Sequence, residues 1–291
     1  MGNKSAEGKQ AGVYPYGVLW GVLLVGLGVG LVGALSAVYP LGEDWRTAFY
    51  PAVQQFLTPY SIPQEKFVGF PHVLFFLPHG FLPIQLGNAV NFTLHLIVLT
   101  LLVRRYGGGW QAYAMTFTSF LFIDLARTNN VDWLPALAFL LPSRWGLVLL
   151  AAKPQILGGA ALIWWKRTGF DWRFLLPTLA VFALSFVVWG WWLPNVLRLG
   201  AGLTNTFWNF SPFPLGIPIG IYLLYRAYRS DDEVLAACAT PFFATYFAPY
   251  SLAPLLALLA CRYPRMAFYV YASFWFFFVV EARRLVLIGA D

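Results

Sequence analysis

The chain has 291 residues, 59% of them hydrophobic and 11% charged, with a formal net charge of +7. Soluble domains carry about 25% charged residues, and the mean hydropathy here is +0.66. The composition therefore predicts an all-α, polytopic integral membrane protein, residues 1–291 forming one transmembrane domain without a soluble domain. The basic residues are scattered over short loops, as retention on the cytoplasmic side requires, so the charge does not point to nucleic acid.

The first apolar run, from about Val13 to Val38, follows a polar N-terminus, and Ala34-Leu35-Ser36 offers a small-residue cleavage pattern. A secretory h-region spans only about 7–15 residues. The run is longer and reads as a retained membrane helix over 14–38. Residues 10–42 carry no charge, and then Glu43, Asp44 and Arg46 arrive together with Trp45, Phe49 and Tyr50. Two readings stand side by side here: a solvated helix end, and an acid poised to activate a hydroxyl at the mouth of a membrane cavity.

Further spans of suitable length are expected at 84–103, 110–126, 174–193, 213–229 and 266–280, because a spanning helix needs about 20 apolar residues. Other apolar pieces are short or broken. Residues 132–142 lie between Asp132 and Arg144, 145–165 are interrupted at Lys153-Pro154, and 234–261 at Pro249. Proline removes a backbone donor and kinks a helix, which membranes tolerate where protein or a wet cavity satisfies the freed groups. The breaks therefore mark the expected site. The total is about eight to eleven membrane segments, some of them short and re-entrant.

With the N-terminus inside, twelve Lys and Arg fall on the cytoplasmic side and six outside, while Lys153 lies within the membrane. This bias places loops 39–70, 127–131 and 194–212 on the extracytoplasmic face; Arg283 and Arg284 run against it. Trp189-Gly190-Trp191-Trp192 reads as an interfacial belt. Cys238 and Cys261 sit in apolar segments as packing residues, without a disulfide or metal spacing.

The three histidines fall within 67–103. His72 and His79 are seven apart, a spacing compatible with one helical face, but Pro71, Pro78 and Pro83 interrupt a regular helix there; their expected role is to hydrogen-bond a phosphate or sugar at the membrane surface. Two histidines without a third ligand make a weak metal signal. His95 packs between helices. Lys153 is costly at bilayer depth, about 2.5–3.5 kcal/mol, and needs a partner or a wet cavity; an anionic ligand, Asp124 and Asp132 are its candidate partners. Arg127-Thr128-Asn129-Asn130-Val131-Asp132 is either a sugar-binding turn or an ordinary polar one. Asn209-Phe210-Ser211 fits a glycosylation pattern and is assigned no function.

Taken in order, these features resemble the polyprenyl-phosphate-sugar-dependent glycosyltransferases of the membrane-embedded GT-C class, in particular their mannosyltransferase-like group. The residues are Glu43-Asp44-Trp45 with Phe49-Tyr50-Pro51-Ala52, then Phe70-Pro71-His72 through Pro78 and Pro83. Asn129-Asn130-Val131-Asp132 stands where the family has a Gly-Gln turn. Lys153-Pro154 and Ala248-Pro249-Tyr250-Ser251 complete the set. The chain is shorter than the family's usual length. The resemblance implies a GT-C-like bundle that moves a sugar, a mannose-like hexose, from a polyprenyl-phosphate carrier to an acceptor hydroxyl at the extracytoplasmic face. It implies Asp44 as general base with Glu43 beside it. Lys153, Arg127 and His72 would stabilise the leaving phosphate, and His79, Asn130, Asp132 and Tyr250 would bind substrate. The partners would be a lipid-linked sugar donor, a glycan, lipid or protein acceptor, and membrane lipids. No cofactor is fixed, and a divalent cation stays open. The alternatives are a transporter or flippase for a lipid-linked or anionic substrate, which would use the same broken helices, and a non-catalytic membrane subunit.

The topology is checked by single-cysteine labelling in a background lacking Cys238 and Cys261. An impermeant thiol reagent should label Ser61→Cys on intact cells and leave Thr168→Cys untouched. The reverse pattern would overturn the placement of Asp44.

Overall fold

The computed structural model describes residues 42–62, 67, 69–204, 206 and 209–288, together with Gly26 and Gly30; side chains are described as far as Val280. The expected first span, 14–38, the cleavage pattern at 34–36, and the side chains of Lys4, Lys9, Lys66, Arg283 and Arg284 lie outside these residues. All regular structure among the described residues is helical, and no strand occurs there.

A π-helical turn, Trp45–Phe49, leads into α1, Tyr50–Gln54. Two 3₁₀ turns, Pro71–Phe76 and Pro78–Phe81, follow. The chain then enters α2, Ile84–Arg105, the central helix. The expected span over 110–126 is two helices, α3 (Trp110–Phe117) and α4 (Phe120–Thr128). Ser119 divides them: its hydroxyl accepts the Phe122 N–H at 3.1 Å and caps α4, so the backbone turns instead of continuing. α4 ends where Asn129 takes the left-handed conformation at φ 48°, which asparagine tolerates better than most residues.

Short helices follow: α5 (Trp133–Ala138), α6 (Ser143–Leu150), α7 (Pro154–Leu157) and α8 (Ala160–Arg167). The break expected at Lys153-Pro154 is present, with Pro154 as the first residue of α7. Proline suits that position because its missing N–H would have no helical partner anyway. Next come α9 (Leu176–Trp189), α10 (Leu193–Leu203) and α11 (Ile217–Ser230). The chain closes with α12 (Glu233–Ala239), α13 (Ala253–Arg262) and α14 (Pro264–Ile288). The expected 213–229 span starts only at Ile217, after a loop containing Pro212 and Pro214. The break near Pro249 is a 3₁₀ turn, Pro249–Leu252, feeding α13.

Among the described residues, two helical stretches are long and apolar enough to cross a membrane, Ile84–Arg105 and Trp172–Trp189, with 61% and 11% of their most apolar 18-residue windows buried. The second exposes Leu179, Leu184 and Val187. Of the tryptophans expected in a belt, only Trp191 is mostly exposed, at 69%. Trp192 is buried and donates to the Ser185 hydroxyl at 3.0 Å, and Trp189 donates to the Phe56 carbonyl at 2.5 Å. Buried tryptophans of this kind satisfy their N–H inside the fold. The Asn209 amide is also internal, donating to the Thr204 and Thr245 carbonyls.

α2 organises the interior. It packs against α5, α13 and the Pro78–Phe81 turn. The C-terminal half of its buried face is apolar: Val98, Leu99, Leu102 and Val103. The N-terminal half is polar, with Asn88, Asn91, Thr93 and His95 buried. Two glycines let the preceding chain close on this polar end. Gly42 has φ +80°, a conformation that suits glycine. A Cβ on Gly87 would stand 2.8 Å from the His79 carbonyl and 3.0 Å from the Trp45 ring. Trp45 is fully buried there and stacks on His79 at 4.8 Å, the planes 8° apart.

Asn91 is the hub of the polar end. Its amide nitrogen donates to the carbonyls of Asn129 and Asn130 and to the Asn129 side chain at 2.8–2.9 Å. Its oxygen accepts the Trp133 indole N–H at 2.8 Å. Asn91→Ala should strand these groups without water and lower stability by about 3 kcal/mol, read as a fall in the thermal midpoint of the detergent-solubilised protein. An unchanged midpoint would show that the hub contributes nothing.

Candidate functional site

The polar turn between α4 and α5 is buried throughout. Asn129 and Asp132 are 0% exposed and Asn130 is 6% exposed. Such a turn is stable only if its groups are paired. Asn88 of α2 accepts the Asn129 amide through both its carbonyl and its side chain, at 2.8 and 2.7 Å. Asn91 takes the other side. The Gly42 N–H donates to the Arg127 carbonyl at 2.8 Å, which fastens the start of the Glu43–Asp44 turn to the same place.

Asp44 meets Asn130 directly. The Asn130 amide nitrogen donates to Asp44 Oδ2 at 2.7 Å and reaches the Tyr250 hydroxyl at 3.1 Å. The Asn130 oxygen accepts from Lys153 Nζ and from the Val131 N–H, both at 2.8 Å. Lys153 also donates to Asp132 Oδ1, and its ammonium lies 5.2 Å from the Tyr250 ring centroid. Of the partners open to Lys153, it pairs with Asp132. Asp124 pairs with Arg127 instead, one turn along α4: Arg127 donates to Asp124 Oδ1 through Nε at 3.0 Å and Nη2 at 2.9 Å. Arg127 Nη1 also meets Glu43 Oε2 at 2.5 Å.

A cavity of about 170 Å³ opens above these groups, lined by Glu43, Asp44, Asp124, Arg127, Thr128, Tyr246, Ala248, Pro249 and Tyr250. Burial pushes the Asp44 carboxyl above the usual carboxylate range, while the Asn130 amide, Lys153 and the Tyr250 hydroxyl hold it down. A carboxylate with raised proton affinity and fixed hydrogen-bond partners is suited to accept a proton. Among the described residues, no group of three or more His, Cys, Asp or Glu side chains is arranged to hold a metal ion.

The sequence-predicted residues divide into two sets. Glu43, Asp44, Arg127 and Tyr250 line the cavity, and Asn130, Asp132 and Lys153 form the layer attached to Asp44. His72 and His79 belong to neither. They occupy successive 3₁₀ turns, not one helical face, because Pro71 and Pro78 each begin a new turn. His72 is fully buried among the rings of Phe70, Phe182 and Trp192, with Nε2 3.2 Å from the Ala151 carbonyl. Burial lowers its pKa to about 4, so near neutral pH it is uncharged and offers no cation to a phosphate. His79 lies beneath the site, its Nε2 3.2 Å from Asn91 Oδ1. Asn88, Asn91 and Tyr246 were given no role by the sequence, and Trp45 only a place in the Glu43-Asp44-Trp45 motif. The i,i+3 spacing of Asn88 and Asn91 in an apolar helix is the one signal that marks them.

Comparison with protein-family models, curated proteins and solved structures finds no match for the chain.

Asp124 is 4% exposed and Arg127 38% exposed at the side chain. Arg127→Met should strand a buried carboxylate and destabilise the fold by about 2 kcal/mol, below the usual figure for a fully buried pair because solvent reaches the guanidinium. Arg127→Met/Asp124→Asn should recover most of that loss in thermal unfolding. A double variant as unstable as the single one would overturn the pairing.

Proposed function

We propose that the chain is a multi-pass membrane glycosyltransferase that transfers a hexose of the mannose type from a polyprenyl-phosphate carrier to an acceptor hydroxyl at the extracytoplasmic face. One observation carries the reading: a carboxylate with raised proton affinity, Asp44, shares a small polar cavity with the Arg127 guanidinium and two tyrosines. The resemblance in motif order points the same way. The exposed apolar face of Trp172–Trp189 supports placement in a bilayer.

In this mechanism an Asp44 oxygen accepts the acceptor's hydroxyl proton as the hydroxyl oxygen attacks the anomeric carbon. The bond from that carbon to the phosphate oxygen breaks, and the lipid phosphate leaves with the electron pair. One base suffices for such an inverting displacement. The negative charge that develops on the leaving oxygen calls for a cation. Arg127 is the cation on the cavity. Its pairing with Glu43, the latter 53% exposed, is the weaker of its two because solvent screens it. A phosphate oxygen can therefore replace Glu43 while Asp124 keeps hold of the guanidinium.

The pairing of every acid in this cluster with a donor also favours a second reading, a non-catalytic membrane subunit whose polar groups staple short helices together. Purified Asp44→Asn separates the two. Transfer from a polyprenyl-phosphate sugar should fall about 10²–10⁴-fold, with donor binding retained, and Glu43→Gln should be milder. Near-normal transfer by Asp44→Asn would overturn the mechanism. Absence of transfer by the wild-type protein, with loss of folding in Asp44→Asn, would favour the staple.

A further inference from the structure

An asparagine side chain has an accepting end and a donating end, and the surroundings of Asn130 use the two differently. The Lys153 ammonium and the Val131 N–H both donate to its oxygen at 2.8 Å. Both are donors only, so a flipped amide would set N–H against N–H. The nitrogen is thereby committed to the opposite side, where it finds Asp44 Oδ2 at 2.7 Å and the Tyr250 hydroxyl at 3.1 Å. Lys153 itself is fixed by Asp132 and lies against the Tyr250 ring. It is 14% exposed and does not line the cavity. This location does not suit a ligand for a lipid phosphate. It suits a charge that acts through something else.

We propose that Lys153 and Asn130 form a positioning relay for Asp44: the buried ammonium locks the orientation of the Asn130 amide, and the amide holds the Asp44 carboxylate toward the cavity. A donor aimed at a carboxylate favours its ionised form, and a cation behind that donor polarises it further. The relay therefore keeps Asp44 able to take a proton in a buried setting. The other groups facing Asp44 are Glu43 on its own turn, Asp124 and Arg127 on α4, Asp132 at the start of α5, and Tyr246 and Tyr250 beside the Pro249 turn. The Tyr250 hydroxyl also hydrogen-bonds Asp44 and favours its ionised form, though less than the Asn130 amide; the acids repel a proton-free Asp44, and Arg127 pairs with Asp124 and Glu43.

The proposal rests on Asp44 being the base for its catalytic consequence, but the relay itself is measurable without any activity. The carboxylic-acid infrared band of Asp44, isolated by subtracting the Asp44→Asn spectrum, is titrated on the purified protein. In Asn130→Ala the band should persist to higher pH, by on the order of one unit. Asn130→Asp keeps the shape of the site, loses the donor and adds a like charge, so it should shift the band further in the same direction. Lys153→Met/Asp132→Asn removes the ion pair without stranding a charge, and should give a shift similar to Asn130→Ala. Combining it with Asn130→Ala should add little, since groups acting as one chain are not additive. In a transfer assay the acid limb of kcat should move up in pH by the same amounts, with the donor KM unchanged. An unmoved Asp44 band in Asn130→Ala and Asn130→Asp would overturn the relay. So would a Lys153→Met/Asp132→Asn variant with a raised donor KM and an unmoved band, which would make Lys153 a phosphate ligand. Infrared shifts as expected, with no sugar transfer by the wild-type protein, would uphold the relay and remove the glycosyltransferase reading.

Discussion

The site depends on the hydrogen bonds that Asn88 and Asn91 of α2 make to the turn at Asn129-Asn130. The turn must leave a helix in a left-handed conformation, expose backbone carbonyls and carry a carboxylate, all in a place closed to water. Each unpaired group there would cost about 1–3 kcal/mol. Two neutral amides, spaced three residues apart on a rigid helix, supply both donors and acceptors. A charged residue at either position would bring a desolvation cost of its own. The turn then presents Asn130 to Asp44 and Asp132 to Lys153 at fixed distances.

From this constraint the rest of the local architecture follows. The Glu43–Asp44 turn is tied to the same place through Gly42 and is seated by the buried Trp45–His79 stack. Short helices broken by Pro142 and Pro154 leave Lys153 at a helix break, within reach of Asn130 and Asp132 of the turn. The acids and cations sort into two units. Arg127, Asp124 and Glu43 are partly open to the cavity, whereas Lys153 and Asp132 are closed off from it. Screening decides their capacities: the open pair can exchange a partner for a ligand, and the closed pair can only hold something in place.

Much of the cluster was legible in the sequence for one physical reason. A charge inside an apolar stretch is expensive, so Lys153 stands out as a group that needs a partner, with Asp124 and Asp132 as candidates, while Glu43 and Asp44 stand out as the acids that end a long uncharged run. Tyr250 was marked only by the resemblance that Ala248-Pro249-Tyr250-Ser251 carries. The histidines misled because imidazoles near an expected membrane surface suggest ligands for a phosphate or sugar, whereas the packing buries both rings away from the cavity. Asn88 and Asn91 passed unremarked because a neutral amide in an apolar helix is read as a packing residue until its partners are seen.

The sequence by itself determined the all-helical class, through long apolar runs without strand alternation, and the breaks at Lys153-Pro154 and Pro249, through proline; the division of 110–126 at Ser119 came only with the structure. It also marked Lys153 as a charge that needs a partner. The tertiary structure decided the pairing. Asp124 or Asp132 could equally have served Lys153 by composition, and only the packing of α4, α5 and the Lys153-Pro154 break assigns Asp132 to the lysine and Asp124 to Arg127. Ion pairs depend on separations of a few ångströms between side chains remote in sequence, and such separations are set by how the helices pack.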